Sequence, residues 1–236
     1  MNRREFLGTT GALGIAGLSG GALSTAASQD RDQRSDSDPD PDDEALLEVT
    51  DHELVAADDA TYLAATVENG GDVAAGWITL EVDWIDARDE RLETDLAHLG
   101  TLGPGQSWRA RAYYSGSEPE LIADYTLEGR ANFEPLPVPS GLEVLESDVD
   151  LESDVDLEGE EVVVTGRFGN GTGEEQPNVD VIALLSDDAE IVLGDVWTNE
   201  ADVPNGESRS FEGRWNGRDR ADDVADHDVI VTSSAF

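Results

Sequence analysis

Apolar and polar residues alternate with a period of two over most of the chain, and one stretch of that alternation occurs twice. From Trp77 to Asp86, Ile78, Leu80, Val82 and Trp84 point one way while Thr79, Glu81 and Asp83 point the other, the pattern of a half-buried strand. Thr61 to Ser107 returns without a gap as Val162 to Ser208, a constant offset of 101 residues (61 to 162). Asn69-Gly70 becomes Asn170-Gly171, Asp86 becomes Asp187, Leu92 becomes Leu193, and Gly105-x-Ser107 becomes Gly206-x-Ser208. Between these anchors the residues change but the rhythm holds, with Val179, Val181, Ala183 and Leu185 in place of the four apolar residues of the first strand.

The same reading predicts strands around Leu47 to Val55, Thr61 to Glu68, Leu99 to Leu102, Ser107 to Tyr114 and Tyr125 to Ala131, separated by Asn-Gly, Asp-rich and Gly-Pro-Gly turns. About seven short strands with turns every ~8–12 residues predict an antiparallel immunoglobulin-like β-sandwich. The fold class is therefore all-β, two such sandwiches in tandem: repeat 1 over 46–134, a Pro-rich linker over 135–140, and repeat 2 over 141–236. Repeat 2 opens with a duplicated hexapeptide, Leu145 to Asp150 copied as Leu151 to Asp156. Six is even, so the duplication predicts one long acidic edge strand with Leu145, Val149, Leu151, Val155 and Leu157 on one face.

The Asn-Gly that closes a strand, the strand that ends in Asp, and Leu-x-Pro-Gly-x-Ser ahead of an aromatic strand together resemble the FxLYD domain. The naming motif falls on Val82 to Asp86 and on Ala183 to Asp187. Asp86 matches in the first copy, Leu185 and Asp187 in the second; Pro104-Gly105 is replaced by Asn205-Gly206 in the second. The resemblance implies small secreted or surface β-sandwich modules, often in tandem, with no common catalytic site.

Charge narrows the class. The chain has 54 acidic and 14 basic residues, a formal net charge of −40, and no cysteine. All the basic residues are Arg. A field this negative repels nucleic acid and anionic membrane surfaces. The strand patterns are too regular for a disordered chain, so the acidity reads as adaptation to molar salt, pointing to an extreme halophile. Guanidinium, weakly hydrated and bidentate, suits the abundant carboxylates. Small core residues, with heavier acidity in repeat 2, lead to the expectation that both sandwiches unfold in low salt, the second first.

Residues 1–28 read as a twin-arginine signal peptide. Arg3 and Arg4 precede Phe6-Leu7, a weakly apolar Gly/Ala/Ser/Thr run follows, and Thr25-x-Ala27 or Ala26-x-Ser28 suits a signal peptidase. That run is poor as a membrane span, so no stable transmembrane segment is expected after cleavage. Residues 29–45 read as an acidic, disordered linker. The expected location is therefore secreted or cell-envelope.

No motif rises to a catalytic claim, and no cofactor is expected. His52, His98 and His227 are spread over different strands and loops, without the spacing of a zinc site. No Gly-x-Ser-x-Gly elbow or strand-borne phosphate loop occurs. Trp84, Trp108 and Trp215 fall on core positions, whereas Trp77 and Trp197 flank strands and are the candidates for exposure. Asn170-Gly171-Thr172 fits the N-glycosylation pattern on an expected exposed turn. The reading is a non-catalytic binding or spacer module for an unknown protein or glycan at the cell surface. Its alternative is a divalent-cation-binding protein that uses the acidic strand around residues 146–161 for calcium or magnesium.

Overall fold

The computed structural model describes residues 3–12, 47–57, 60–132, 136–153 and 160–233. The remainder of the expected leader, the 29–45 linker, Pro135, Val155 and Leu157 lie outside the described residues. The described chain is almost entirely strand: β1 (Arg3–Ala12), β2 (Leu47–Ala56), β3 (Thr61–Asn69), β4 (Ala75–Asp86), β5 (Arg91–Leu102), β6 (Ser107–Tyr113), β7 (Ile122–Asn132), β8 (Leu142–Ser153), β9 (Glu160–Asn170), β10 (Gln176–Ser186), β11 (Val192–Val203), β12 (Ser208–Asn216) and β13 (Asp226–Thr232). Two short 3-10 turns, Pro119–Leu121 and Arg218–Asp223, precede β7 and β13.

Each repeat contributes six strands, folded alike. In repeat 1, β2-β3-β6 faces β7-β4-β5; in repeat 2, β8-β9-β12 faces β13-β10-β11. Among the described residues that is six strands per repeat, where the sequence pattern led to about seven. In repeat 1 the seventh place is taken by β1, which pairs antiparallel with the outer edge of β7, Arg3 opposite Asn132 and Arg4 opposite Ala131.

The cores follow the alternation. Ile78, Leu80, Val82 and Trp84 are all buried, packed on Leu63, Ala65, Val67, Trp108 and Ala110 of the facing sheet. In repeat 2 the equivalent strand packs on Val162, Val164, Phe168 and Phe211. The size of one residue is matched to the room left by its cross-strand partner. Ala65 lies opposite Ala110 in repeat 1, and Gly166 lies opposite Phe211 in repeat 2. A Cβ on Gly166 would sit 2.5 Å from the Phe211 ring, so the large residue requires the small one.

The acidic strand β8 is a sheet edge, as its charges suggested, but its face assignment differs. A bulge between Val144 and Glu146 shifts the register against β9. Val144 and Val149 pack on the second core, whereas Leu145 and Leu151 are exposed. The linker is also more than a spacer. Leu136 packs on the first core, and the Pro137 carbonyl accepts hydrogen bonds from Thr232 Oγ1 and Ser233 N at the end of β13.

The repeats are not independent beads. β11 meets β6 at one parallel bridge, Val192 opposite Trp108, joining half of each sandwich into a six-stranded sheet, β13-β10-β11-β6-β3-β2. Ile182, Leu184 and Val192 of repeat 2 belong to the apolar core of repeat 1. The outer face of β10, which carries Glu81 and Asp83 at the equivalent positions in β4, is apolar here because it is covered.

Candidate functional site

The residues identical in the two repeats serve the backbone. Asn69 is buried, and its Nδ2 donates to the carbonyls of Val73 and Leu102 at 2.8 and 2.9 Å while its Oδ1 accepts from Gly71 N. Asn170 repeats this: Nδ2 donates to Glu174 O and Val203 O at 2.9 and 2.8 Å, and Oδ1 accepts from Thr172 N and Oγ1. Its relative exposure is 1 %. Asn170 is thus no exposed acceptor on a turn. In the folded chain both amide hydrogens are donated and the residue is buried, in contrast to the exposed turn expected for this triplet.

The strand-ending aspartates are turn clamps. Asp86 Oδ1 accepts from Glu90 N and Arg88 N, and these two N–H donors hold its carboxyl below the ordinary carboxylate range. Asp187 Oδ1 accepts from Ala189 N and Ile191 N in the same way. Gly105 and Gly206 close the next turn with φ of 71° and 82°, a region that favours glycine, each donating N–H to the carbonyl of the clamp Asn.

The histidines are dispersed. His52 hydrogen-bonds Tyr125 OH at 2.8 Å, His98 meets Thr79 Oγ1 at 3.1 Å, and His227 meets Ser147 Oγ at 3.0 Å. They share no neighbour in these contacts. On the acidic strand, Glu146 pairs with Arg167 at 3.6 Å, and Glu161 of β9 pairs with Arg214 at 3.4 Å. No three His or carboxylate side chains gather as metal ligands among the described residues. A hollow of about 470 Å³ between the repeats runs from the Gly105 turn to Glu190, Asp226 and Asp228.

Two features do stand out. The first is the seam between the repeats. Arg109 of β6 reaches Asp187 at 3.1 Å, and Arg111 forks onto both oxygens of Asp219 at 2.8 and 2.7 Å. Tyr113 donates to the same carboxylate, and Arg218 lies 4.0 Å over the Tyr113 ring. Buried Arg220 donates to the Arg109 carbonyl at 2.7 Å with its guanidinium 5.3 Å from the Trp215 ring. On the β5 side, Gly100 N donates to Asp195 Oδ2 at 2.8 Å. A Cβ on Gly100 would approach that oxygen to 2.7 Å, so a larger residue would push the Asp195 carboxylate aside. Burial pushes the Asp195 carboxyl up to about 6.

The second is an aromatic recess on the outer face of β4 and β5. β4 slips register against β7 between Gly76 and Thr79, and there Trp77 takes the left-handed conformation, φ 42°. A bulky residue holds that conformation only where its surroundings enforce it. The bulge turns the indole outward, 38 % exposed, and stacks it on the His98 ring at 5.7 Å between centroids and 26° between planes. Burial holds His98 below its ordinary value, so the imidazole is neutral at neutral pH. Thr79, Glu81, Leu96 and Arg130 complete a recess of about 220 Å³, with Arg130 held on Glu81 at 3.1 Å. Leu96 is 48 % exposed. Trp77 and Trp197 are exposed, as expected, but they lie within β4 and β11 rather than flanking strands, while Trp84 and Trp108 are buried and Trp215 half-buried in the cores. The grouping of Trp77 with Leu96, His98 and Arg130 had no sequence signal, since it depends on the bulge and on cross-strand register.

No protein-family model and no curated protein matches the chain. Among solved structures, a glycosyl hydrolase family 2 member from Bacteroides cellulosilyticus is similar at 10 % identity and a TM-score of 0.25, covering 66 % of this chain and 23 % of that one. A β-glucuronidase of glycoside hydrolase family 2 is similar at 12 % identity and a TM-score of 0.24, covering 65 % of this chain and 20 % of that one. The chain thus spans about a quarter or less of either length, and at these scores neither bears on its activity. No described helix is long and apolar enough to cross a membrane.

Proposed function

We propose that the chain is a non-catalytic binding and spacer module of a halophilic cell envelope, exported by the twin-arginine route, in which two sandwiches present one recognition face. The observation that carries this reading is Trp77: a large aromatic held in a left-handed bulge, exposed, and backed by a neutral His98. Strained conformations of this kind cluster at functional sites. The identities between the repeats are backbone clamps, which agrees with the FxLYD resemblance being one of architecture. The Arg-rich seam supports a spacer role, because it fixes the direction of one sandwich relative to the other.

The test is capture from an envelope fraction in molar KCl by the immobilised chain and by a Trp77→Ala variant. The expected result is a retained component that the variant fails to hold. Equal retention by both, or none by either, would remove the recess as a recognition site.

A further inference from the structure

The face of β5 that carries the recess reaches the seam at Gly100. Along β5, residues 96, 98 and 100 share the outer face, because Ala97 and Leu99 point into the core. Along β11, residues 195, 197 and 199 share the outer face, because Val196 points into the second core. The two faces meet where Gly100 N binds Asp195. β5 turns back into β6 at Gly103 to Gln106, and β11 runs parallel to β6, so β5 and β11 pass in opposite senses. The residue two places before Gly100 and the residue two places after Asp195 therefore lie on the same side of that contact. They are His98, beneath Trp77, and Trp197, 49 % exposed, each about 7 Å along its own strand from the contact. Leu96 and Trp197 are also the same position in the two repeats, 101 residues apart. The internal symmetry has placed an exposed apolar side chain at each.

Resting on the binding-module reading above, we infer that this face binds a neutral, linear oligosaccharide laid across the seam, with one sugar ring on Trp77 and a later ring on Trp197. Three features select this occupant. The recess at Trp77, about 220 Å³, is below the ~300 Å³ lower end of pockets that enclose a small molecule, and it suits one ring of a ligand that continues along the surface. Its polar lining is planar or hydroxylic: Glu81 and Arg130 fixed on each other, Thr79 and neutral His98, with Asn199 and Asn178 hydrogen-bonded to each other on the repeat 2 side. Such groups exchange hydrogen bonds with hydroxyls, while indole faces take the C–H faces of a pyranose. Finally, molar salt screens recognition by charge but leaves stacking and hydrogen bonding in place, which favours a neutral ligand over an acidic one.

The test is titration of the intact chain, in molar KCl, with cellohexaose, maltohexaose, mannohexaose and the hexamer of N-acetylglucosamine, followed by tryptophan fluorescence and calorimetry, with a galacturonic acid hexamer as the acidic probe. At least one neutral hexamer should bind at millimolar concentration or below, and its monosaccharide should bind far more weakly. Trp77→Ala and Trp197→Ala should each lower affinity about three- to tenfold, from the loss of one stacking contact, and the double variant should abolish binding. Leu121→Ala, an exposed apolar residue away from the seam, should leave it unchanged. Circular dichroism of each variant checks that the sandwiches persist. Binding of no neutral hexamer, preference for the acidic probe, or binding indifferent to Trp197 would overturn the inference. Should the hexamers fail while Trp77-dependent capture of an envelope protein succeeds, the glycan falls and the binding-module reading stands.

Discussion

Arg109 in repeat 1 closes on Asp187 in repeat 2 at 3.1 Å, and it occupies the role that Arg88 plays for Asp86 within repeat 1. Arg88 pairs with Asp86 at 2.9 Å from two residues away. The equivalent position in repeat 2 is Ala189, so the second aspartate has no local cation and receives one from the other sandwich. A device for closing a turn in one repeat has become a device for joining the two.

The first prediction follows from that exchange. Arg109→Ala should cost about 1 kcal/mol, because the pair is partly exposed and Asp187 keeps its two backbone donors. Asp187→Ala should cost about 2–4 kcal/mol, since it also strands the Ala189 and Ile191 N–H groups. Denaturant midpoints in molar KCl measure both. Equal losses would mean that the seam contact, not the turn, dominates.

Asp195 makes the seam sensitive to pH. Its folded pKa of about 6 lies above the ordinary 3.8, so between these values the folded chain holds a proton that the unfolded chain has lost. Stability at this group is therefore highest at low pH and declines as pH rises through about 4 to 6, by at most about 3 kcal/mol at neutrality. Asp195→Asn, which keeps an oxygen for Gly100 N, should be more stable than the parent at about pH 7.5 and close to it only below about pH 4, where both folded and unfolded Asp195 are protonated. Parallel pH profiles for the two proteins would show that the Asp195 carboxylate is solvated.

Asn170 gives a third prediction. Asn170→Ala removes the side-chain partners of the Val203 carbonyl and the Thr172 N–H and leaves the Glu174 carbonyl with Thr172 Oγ1, at a cost of about 2–4 kcal/mol. Asn170→Asp should be worse, because a carboxylate would face two carbonyl oxygens. Mass spectrometry of the native protein should find the peptide spanning Asn170 to Thr172 unmodified; a glycan there would mean that modification precedes folding of this turn.

What the sequence made legible was whatever depends on one strand at a time. Ile78 to Trp84 announces its buried face by alternation, and the 101-residue offset pairs Asn69 with Asn170 and Asp86 with Asp187. The junction left a trace that alternation alone passes over: Glu81 and Asp83 become Ile182 and Leu184, so an outward face turns apolar only in repeat 2. The recess left none. Trp77 and His98 are 21 residues apart (77 to 98), and their stacking depends on a bulge that no residue type dictates. The bulge after Val144 is equally silent in the sequence; it adds one residue to the count and so takes Leu145 off the face that Val149 keeps.

The export reading has its own test. Arg3 and Arg4 lie in β1, whose backbone pairs with Asn132 and Ala131 of β7, so engagement by export machinery requires this strand to leave the sheet. Arg3→Lys with Arg4→Lys should keep the precursor in the cytoplasm, since the pair is read by a receptor and not by charge alone. Fractionation and immunoblotting measure this, and normal secretion of the double variant would remove the twin-arginine assignment.

Salt decides the last prediction. At ~0.01 M the Debye length of ~30 Å spans a whole sandwich, and at ~1 M it falls to ~3 Å, so dialysis turns on repulsion among the 54 acidic residues. The repeat pattern alone leads to independent loss, with the more acidic second sandwich going first. The shared core leads elsewhere. Ile182, Leu184 and Val192 are packed into the first core, and the two arginine pairs bind the second repeat to β6. Unfolding repeat 2 would strip apolar cover from repeat 1 and leave Arg109 and Arg111 without their carboxylates, so each sandwich destabilises the other as it opens. A single transition is therefore expected as KCl is lowered. Trp84 and Trp108 report the first core and Trp215 the second. Variants that keep only one reporter set, with the other tryptophans replaced by Phe, should show the same midpoint. Two separated midpoints would mean that the seam is too weak to couple the repeats. A signal flat from molar to millimolar salt would mean that the acidity is no adaptation to salt.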